Sequence, residues 1–266
     1  MSVQKFAASV PVKGHGETRD KALLQVAITE AFAFLSAGEP RDAIVHLARY
    51  ADLAAGSDIA CYVLGLICFN ADDLRNALTW FDRALVLKPA YPEALGARAI
   101  VLQRLGQPED ALDAFQDLLK FQPDDADTMF SIGVILQSLG RMRDALAAYE
   151  DALRRRPDHC EALTNRGALL GRFGRFEESL ACFEAIVALR PGDAGALFNK
   201  GSVLQKLGRN EDALGAYEEA ARNGYDRRRD GAQPRQRTAK TWTARRGADL
   251  LRSIVPLPRR LSAGAL

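Results

Sequence analysis

Residues 126–159 read ADTMFSIGVILQSLGRMRDALAAYEDALRRRPDH, and the stretch that follows them repeats their pattern. Residues 160–193 read CEALTNRGALLGRFGRFEESLACFEAIVALRPGD. Both stretches are 34 residues long, with glycine at the eighth and fifteenth positions, an aromatic residue at the 24th and proline at the 32nd. A repeat of this length indicates one small structural unit that is copied along the chain.

The same pattern extends on both sides of these two stretches. Several columns keep one phase over five periods, which is far more specific than a single motif match. The prolines are Pro89, Pro123, Pro157 and Pro191, and the glycines are Gly106, Gly140, Gly174 and Gly208. A small residue precedes an aromatic one by four at Ala77/Phe81, Ala111/Phe115, Ala145/Tyr149, Ser179/Phe183 and Ala213/Tyr217. These columns define repeats 1 to 5, at residues 58–91, 92–125, 126–159, 160–193 and 194–227.

Each repeat is predicted to be a pair of helices. In repeat 3 the spacing predicts helices over 127–138 and 142–154. Gly140 tolerates the left-handed backbone that ends a helix, and Pro157 ends the second helix because the residue before proline avoids helical angles. One pair cannot bury its apolar face alone. Neighbouring pairs must therefore stack, which produces a solenoid with a concave and a convex face.

These columns resemble the tetratricopeptide repeat (TPR) family over residues 58–227. The resemblance implies an all-α fold, a right-handed solenoid of helix-turn-helix repeats. A sixth, degenerate repeat fits residues 24–57, with Ala55 where proline is expected. We expect a flexible leader over 1–20, a solenoid over 21–225 and a basic, Arg/Pro/Gly-rich tail over 226–266.

In the TPR family the first helix of each repeat lines the concave groove. Carried over by phase alone, this predicts ten groove residues that bind a peptide: Gln103, Phe130, Val134, Gln137, Asn165, Arg172, Phe198, Asn199, Gln205 and Lys206. An amide side chain offers a donor and an acceptor, so it can pair with the backbone of an extended peptide. The apolar groove positions of repeat 1 have two interpretations. They either face a ligand or pack against the degenerate repeat.

The leading hypothesis is a non-enzymatic scaffold that binds an extended peptide or a helix of another protein. A pre-organised groove lowers the ordering cost of such binding. The sequence contains no phosphate loop, nucleophile elbow or metal-ligand spacing, so we expect no catalytic residue, metal or cofactor. No apolar run approaches the length of a membrane span, and we expect a cytoplasmic protein.

Two segments at 162–167 and 196–201, ALTNRG and ALFNKG, suggest an alternative function. They are similar to repeats of bacterial proteins that resemble O-linked N-acetylglucosamine transferases. In that group the groove asparagines, which match Asn165 and Asn199 here, hold the acceptor polypeptide. The resemblance implies the peptide-recognition region of a truncated glycosyltransferase whose catalytic domain is absent.

The tail carries most of the positive charge, since residues 225–266 hold 11 Lys and Arg against 3 Asp and Glu. Three interpretations stay open: a disordered tail that binds nucleic acid or an anionic surface, a helix over 238–255 that caps the last repeat, or a frameshift product. Its few aromatic residues disfavour nucleic-acid binding. An uncapped solenoid end would also allow self-association.

Overall fold

The computed structural model describes residues 17–225, and it contains thirteen helices and no strand in that range. The predicted all-α class is therefore confirmed. The predicted tail and residues 1–16 of the predicted leader lie outside the described residues. None of the helices between residues 17 and 225 has the length and apolar character of a membrane span.

The described chain forms two compact units, which divide inside one helix between Ala114 and Phe115. The N-terminal half contains α1 (Glu17–Ser36), α2 (Pro40–Ala48), α3 (Ala51–Ala54), α4 (Asp58–Asn70), α5 (Leu74–Leu87), α6 (Pro92–Arg104) and the first part of α7 (Pro108–Phe121). The C-terminal half contains the rest of α7, α8 (Ala126–Ser138), α9 (Met142–Arg155), α10 (Cys160–Arg172), α11 (Phe176–Leu189), α12 (Ala194–Lys206) and α13 (Asn210–Arg222).

Consecutive helices pack in pairs, and each pair packs on the next pair of the same half. In the C-terminal half the pairs are α8 with α9, α10 with α11, and α12 with α13. The second helix of one pair contacts the first helix of the next, as α9 does with α10 and α11 with α12. This is the predicted solenoid arrangement of helix-turn-helix repeats. We call α8, α10 and α12 the inner helices, and α9, α11 and α13 the outer helices.

Glycine makes the turn between the two helices of a repeat. Gly140 has a φ of +77°, and the next residue, Arg141, donates its N–H to the Leu136 carbonyl at 2.9 Å. This left-handed closure ends α8 within one turn. In repeat 1 the equivalent residue is Asp72, which adopts the same backbone at φ 64°. Aspartate is one of the few residues other than glycine that tolerate this conformation.

The small-residue column explains how closely the paired helices approach. A Cβ at Gly133 would lie 2.5 Å from the Tyr149 ring, and one at Gly65 would lie 2.4 Å from the Phe81 ring. Both rings are fully buried. The glycine of the first helix therefore provides the space that the aromatic residue of the second helix fills.

The degenerate repeat departs from the hairpin pattern in its second helix. That helix is broken into α2 and α3 around Arg49 and Tyr50, although neither glycine nor proline occurs there. Its apolar residues share one core with α1 and α4. The core residues are Leu24, Ala27, Ile28, Ala31, Ala43, Leu47, Ala54, Ala60, Val63, Leu64 and Ile67.

Candidate functional site

Most of the predicted groove residues lie on the three inner helices of the C-terminal half. Their side chains differ in exposure. Val134, Gln137, Asn165, Phe198 and Asn199 are half-buried, Arg172, Gln205 and Lys206 are exposed, and Phe130 is buried with 5% of its surface accessible. The half-buried and exposed members provide a polar surface with a partly open aromatic side chain, whereas Phe130 offers a partner little area.

A tyrosine hydroxyl joins two of the predicted amides. Tyr149, on outer helix α9, is completely buried. Its O–H donates to Gln137 Oε1 at 3.0 Å, and its oxygen accepts a hydrogen bond from Asn165 Nδ2 at 3.3 Å. Gln137 and Asn165 belong to α8 and α10, so the hydroxyl links neighbouring repeats. Burial raises the pKa of Tyr149, which keeps the phenol neutral and able to donate.

Repeat 5 contains a related arrangement. The Tyr217 hydroxyl lies 3.2 Å from Ser202 Oγ and 3.4 Å from Gln205 Oε1. The Phe198 ring stacks on Tyr225, with centroids 4.2 Å apart and planes at 12°. Together with Ala221, these side chains line an open cavity of about 520 Å³. Its combination of stacked rings, a hydroxyl and an amide suits an apolar side chain next to a peptide group.

Phe130 is covered by His159, which caps the start of α10. The two rings lie 4.9 Å apart, and the imidazole Nδ1 accepts a hydrogen bond from the Ala162 N–H at 3.4 Å. Nε2 lies 3.4 Å from Asp127 Oδ1, and Nδ1 lies 3.2 Å from Glu161 Oε2. The histidine thus sits between two carboxylates of the groove rim.

These charges shift one another's pKa. Burial of His159 opposes its charged form, but Asp127 and Glu161 favour it, and the net result is a raised pKa. In return His159 lowers the pKa of Glu161 to about 2. His159 and Arg156 hold the pKa of Asp127 well below its usual range, and Arg156 is also hydrogen-bonded to Asp127 through both terminal nitrogens. The acidic rim is therefore neutralised within the chain.

The remaining predicted residue, Gln103, lies half-buried on α6 in the N-terminal half. On the neighbouring α4, most of the apolar set of repeat 1 is buried, whereas Ile59 is 39% exposed. Val63 belongs to the core shared with α1, as packing against the degenerate repeat requires. Tyr62 instead lies between Phe81 and Tyr91 of its own repeat, with centroid distances of 5.7 and 5.2 Å.

Sequence reasoning missed the residues outside the inner helices that contact the predicted groove residues: Tyr149, His159, Tyr217 and Tyr225. A signal was available for two of them. The aromatic column holds phenylalanine in repeats 1, 2 and 4 but tyrosine in repeats 3 and 5. A buried tyrosine hydroxyl needs a hydrogen-bond partner, and a glutamine precedes each tyrosine by 12 residues.

Comparison with known families agrees with this architecture. The tetratricopeptide repeat model matches residues 28–92, 97–159, 132–175 and 164–234. The chain belongs to the tetratricopeptide repeat family. The resemblance to glycosyltransferase repeats is not tested by this match and stays a prediction. None of the curated proteins matches the sequence significantly.

Several solved TPR structures share the fold. YrrB, described as a TPR protein with an unusual peptide-binding site, is 23% identical, with a TM-score of 0.55 over 70% of this chain and 92% of that one. PilF of Pseudomonas aeruginosa is 14% identical, with a TM-score of 0.63 over 85% and 99%. MamA of Desulfovibrio magneticus RS-1 is 20% identical, with a TM-score of 0.59 over 64% and 96%. At these identities the likeness establishes the fold alone.

Proposed function

We propose that this protein is a cytoplasmic, non-enzymatic scaffold whose C-terminal half binds an extended segment of another protein along α8, α10 and α12. The observation that carries the proposal is the set of polar side chains hydrogen-bonded to Tyr149 and Tyr217, which are Gln137, Asn165, Ser202 and Gln205. In repeat 3 the Tyr149 hydroxyl fixes Gln137 by its oxygen, which leaves the two N–H groups of that amide to donate elsewhere. A fixed donor loses little entropy when a peptide carbonyl arrives.

The peptide-binding site named in the description of YrrB supports the same use of the fold. In the present chain, Asn165 and Asn199 occupy one column of adjacent inner helices, and amides in a row can pair with successive peptide groups. The cavity beside Phe198 would accept one apolar side chain of the same segment. Main-chain pairing would give affinity, and this cavity would give selectivity.

The test is peptide binding by an Asn165→Ala/Asn199→Ala double variant. Short peptides selected from a random display library against the full chain are labelled, and their affinity is measured by fluorescence anisotropy. Loss of two amide hydrogen bonds should weaken binding about tenfold, since each bond contributes ~0.5–1.5 kcal/mol. Tm should fall only slightly, because both side chains are half-buried and the Tyr149 hydroxyl, which loses its bond from Asn165, still donates to Gln137.

The matched control is Glu177→Ala/Glu218→Ala, which removes two exposed side chains from the outer helices of the same repeats. This variant should bind as the natural protein does. Equal weakening by both double variants would contradict the groove assignment, and failure to select any peptide would contradict peptide binding itself.

A second proposal concerns self-association through α13. Its leucine column is buried in repeats 2, 3 and 4, where Leu112, Leu146 and Leu180 keep 7%, 8% and 7% of their surface exposed. The residue of this column in α13 is Leu214, and 60% of its surface is exposed. We propose that a second copy covers this leucine. An exposed apolar end of a repeat array favours such pairing.

Sedimentation equilibrium tests the pairing. The full chain should show a concentration-dependent dimer, and Leu214→Glu should be monomeric because a carboxylate would be buried unpaired. Leu189→Glu is the control, since Leu189 is 48% exposed but lies outside this column. A natural chain that stays monomeric at all concentrations would overturn the proposal.

A further inference from the structure

Two cations on the inner helices of the C-terminal half differ from the other charged groups around them. Arg172 ends α10 and Lys206 ends α12, and both are exposed. Neither has a carboxylate within ion-pair distance among residues 17–225. By contrast, the inner-helix residues Arg166 and Lys200 are paired with Glu150 and Glu184.

The N-terminal half shows what an equivalent cation does when a carboxylate is present. Arg104 occupies the same column as Arg172 and Lys206, and its guanidinium is hydrogen-bonded to Asp72. Asp72 is the left-handed turn residue of the preceding repeat, 32 positions earlier. The chain therefore contains its own example of an anion bound at this position.

In the C-terminal half the turn residue 32 positions earlier carries no carboxylate. For Arg172 it is Gly140 and for Lys206 it is Gly174, with φ of +77° and +75°. A Cβ at either glycine would have no neighbour within 4 Å, so the space that a carboxylate occupies in repeat 1 is open here. Arg172 is directed towards this turn, because its Nη1 lies 4.0 Å from Met142 Sδ, two residues after Gly140.

Two of the acidic residues near these turns form ion pairs within the chain. Asp144 pairs with Arg141 at 2.8 Å, and Glu178 pairs with Arg175 at 2.6 Å. On the opposite rim of the groove, Asp127 and Glu161 are paired with Arg156 and His159. The surface left for a partner is therefore positive at the carboxyl ends of α10 and α12.

We propose that the segment bound in this groove is acidic, and that two of its Asp or Glu side chains take the places beside Arg172 and Lys206 that Asp72 takes beside Arg104. This rests on the proposed peptide-binding function. The two carboxylates should be separated by the length of extended chain, at ~3.3 Å per residue, that spans the carboxyl ends of α10 and α12.

The experiment introduces an aspartate, equivalent to Asp72 of repeat 1, at the two glycine turn positions. In the full chain, Gly140→Asp/Gly174→Asp supplies each cation with a carboxylate in the position of Asp72. The control, Gly140→Asn/Gly174→Asn, has the same shape and similar tolerance of left-handed backbone but no charge. A third variant, Arg172→Gln/Lys206→Gln, removes the cations themselves. Circular dichroism checks that each variant keeps its helices.

The probes are the display-selected peptides, together with versions in which every Asp and Glu is replaced by Asn and Gln. The proposal expects Asp or Glu to be enriched at two positions of the peptides. The uncharged versions should bind about tenfold more weakly at low salt, which screens charges least. The aspartate graft and the glutamine variant should each bind the acidic peptides about tenfold more weakly than the natural chain does. The asparagine control should bind them normally.

Each remaining outcome is decisive. Selected peptides without acidic enrichment, or binding unaffected by both the aspartate graft and the glutamine variant, would overturn the acidic-ligand proposal. If such peptides were still weakened by Asn165→Ala/Asn199→Ala, the proposed groove function would stand. If no peptide were selected, both proposals would fail. An aspartate graft that does not fold leaves the glutamine variant and the uncharged peptides to decide.

Discussion

The His159 imidazole makes three kinds of contact. It caps α10, covers Phe130 and lies between the carboxylates of Asp127 and Glu161. The first and third contacts need different protonation states. A neutral imidazole accepts the Ala162 N–H at Nδ1, whereas a charged one donates from Nδ1 towards Glu161. Protonation should therefore exchange a helix cap for an ion pair.

The stability of the C-terminal half should depend on pH through this cluster. Because the pKa of His159 is raised above 6.5 by folding, its contribution is complete below about pH 6.5 and is lost as pH rises through the folded value. Glu161, with its pKa lowered from 4.5 to about 2, contributes above about pH 4.5 and loses this as pH falls towards 2. The cluster stabilises the fold most between these limits.

Urea denaturation of the natural chain and of His159→Gln, followed at several pH values, measures this effect. The difference between their midpoints should shrink as pH rises from about 6 to 8, because only the natural protein loses a charge. Glu161→Gln should show a weaker pH dependence than the natural chain. Parallel profiles for the natural chain and His159→Gln would contradict the assigned shift.

At the residue scale, the sequence predicted which repeat positions carry amide side chains. It did not predict which of these amides form hydrogen bonds within the protein. Asn165 is held by Tyr149, a residue 16 positions earlier on another helix. Phe130 is buried between the rings of His159 and Tyr149. Such contacts depend on side-chain orientation across two repeats, which a column of residue types does not contain.

At the scale of the helix pair, glycine and proline determine most of the bounds. The predicted bounds of the two helices of repeat 3 agree with the structure to within one residue, since α8 runs Ala126–Ser138 and α9 runs Met142–Arg155. The exception is the degenerate repeat. Its second helix breaks at Arg49 and Tyr50, where the Tyr50 ring packs on the shared core and lies 5.7 Å from His46. Tertiary packing overrides local preference there, so the sequence pattern alone could not locate the break.

The glycine–aromatic contact between paired helices can be tested by adding one methyl group. Gly133→Ala places a Cβ 2.5 Å from the buried Tyr149 ring. The overpacking costs ~1–3 kcal/mol, which exceeds the gain of ~1 kcal/mol in helix propensity, so the variant should be less stable by about 1 kcal/mol. Urea denaturation provides the measurement.

Gly171→Ala is the matched control on the next inner helix. Its Cβ would meet only Ser179 Oγ, at 3.5 Å, so the better helix propensity of alanine should stabilise the protein by about 0.5–1 kcal/mol. The two substitutions should therefore have opposite signs. Stabilisation by both would show that the space beside Gly133 does not limit the approach of the helices.

At the scale of the whole molecule, some residue types recur every two repeats, or 68 residues, in addition to the 34-residue pattern. Tyr62, Phe130 and Phe198 are 68 residues apart, as are Gln137 and Gln205, and Tyr149 and Tyr217. The hydroxyl–amide pair therefore recurs in repeats 3 and 5, whereas repeat 4 has Gly171 and Phe183 in those columns. Repeats 4 and 5 share the asparagine column (Asn165 and Asn199) and the cation column (Arg172 and Lys206), so repeat 4 differs from repeat 5 in lacking the hydroxyl–amide pair.

The family and the fold class could be predicted from the sequence because the residue pattern that indicates them recurs in every repeat. The partner could not, because groove residues differ between neighbouring repeats in several columns, and a residue type that recurs does not identify what it binds. The column of Arg104, Arg172 and Lys206 is the exception. There one repeat supplies its own anion and the later ones do not, and this contrast indicates the chemistry of the ligand.

A crystal structure of the full chain with its tightest selected peptide tests the central claim most directly. We expect an extended peptide across α8, α10 and α12, with its main chain hydrogen-bonded to Asn165 and Asn199 and a carboxylate beside Arg172. A peptide bound to the outer helices α9, α11 and α13, with the inner side chains unchanged, would contradict the account.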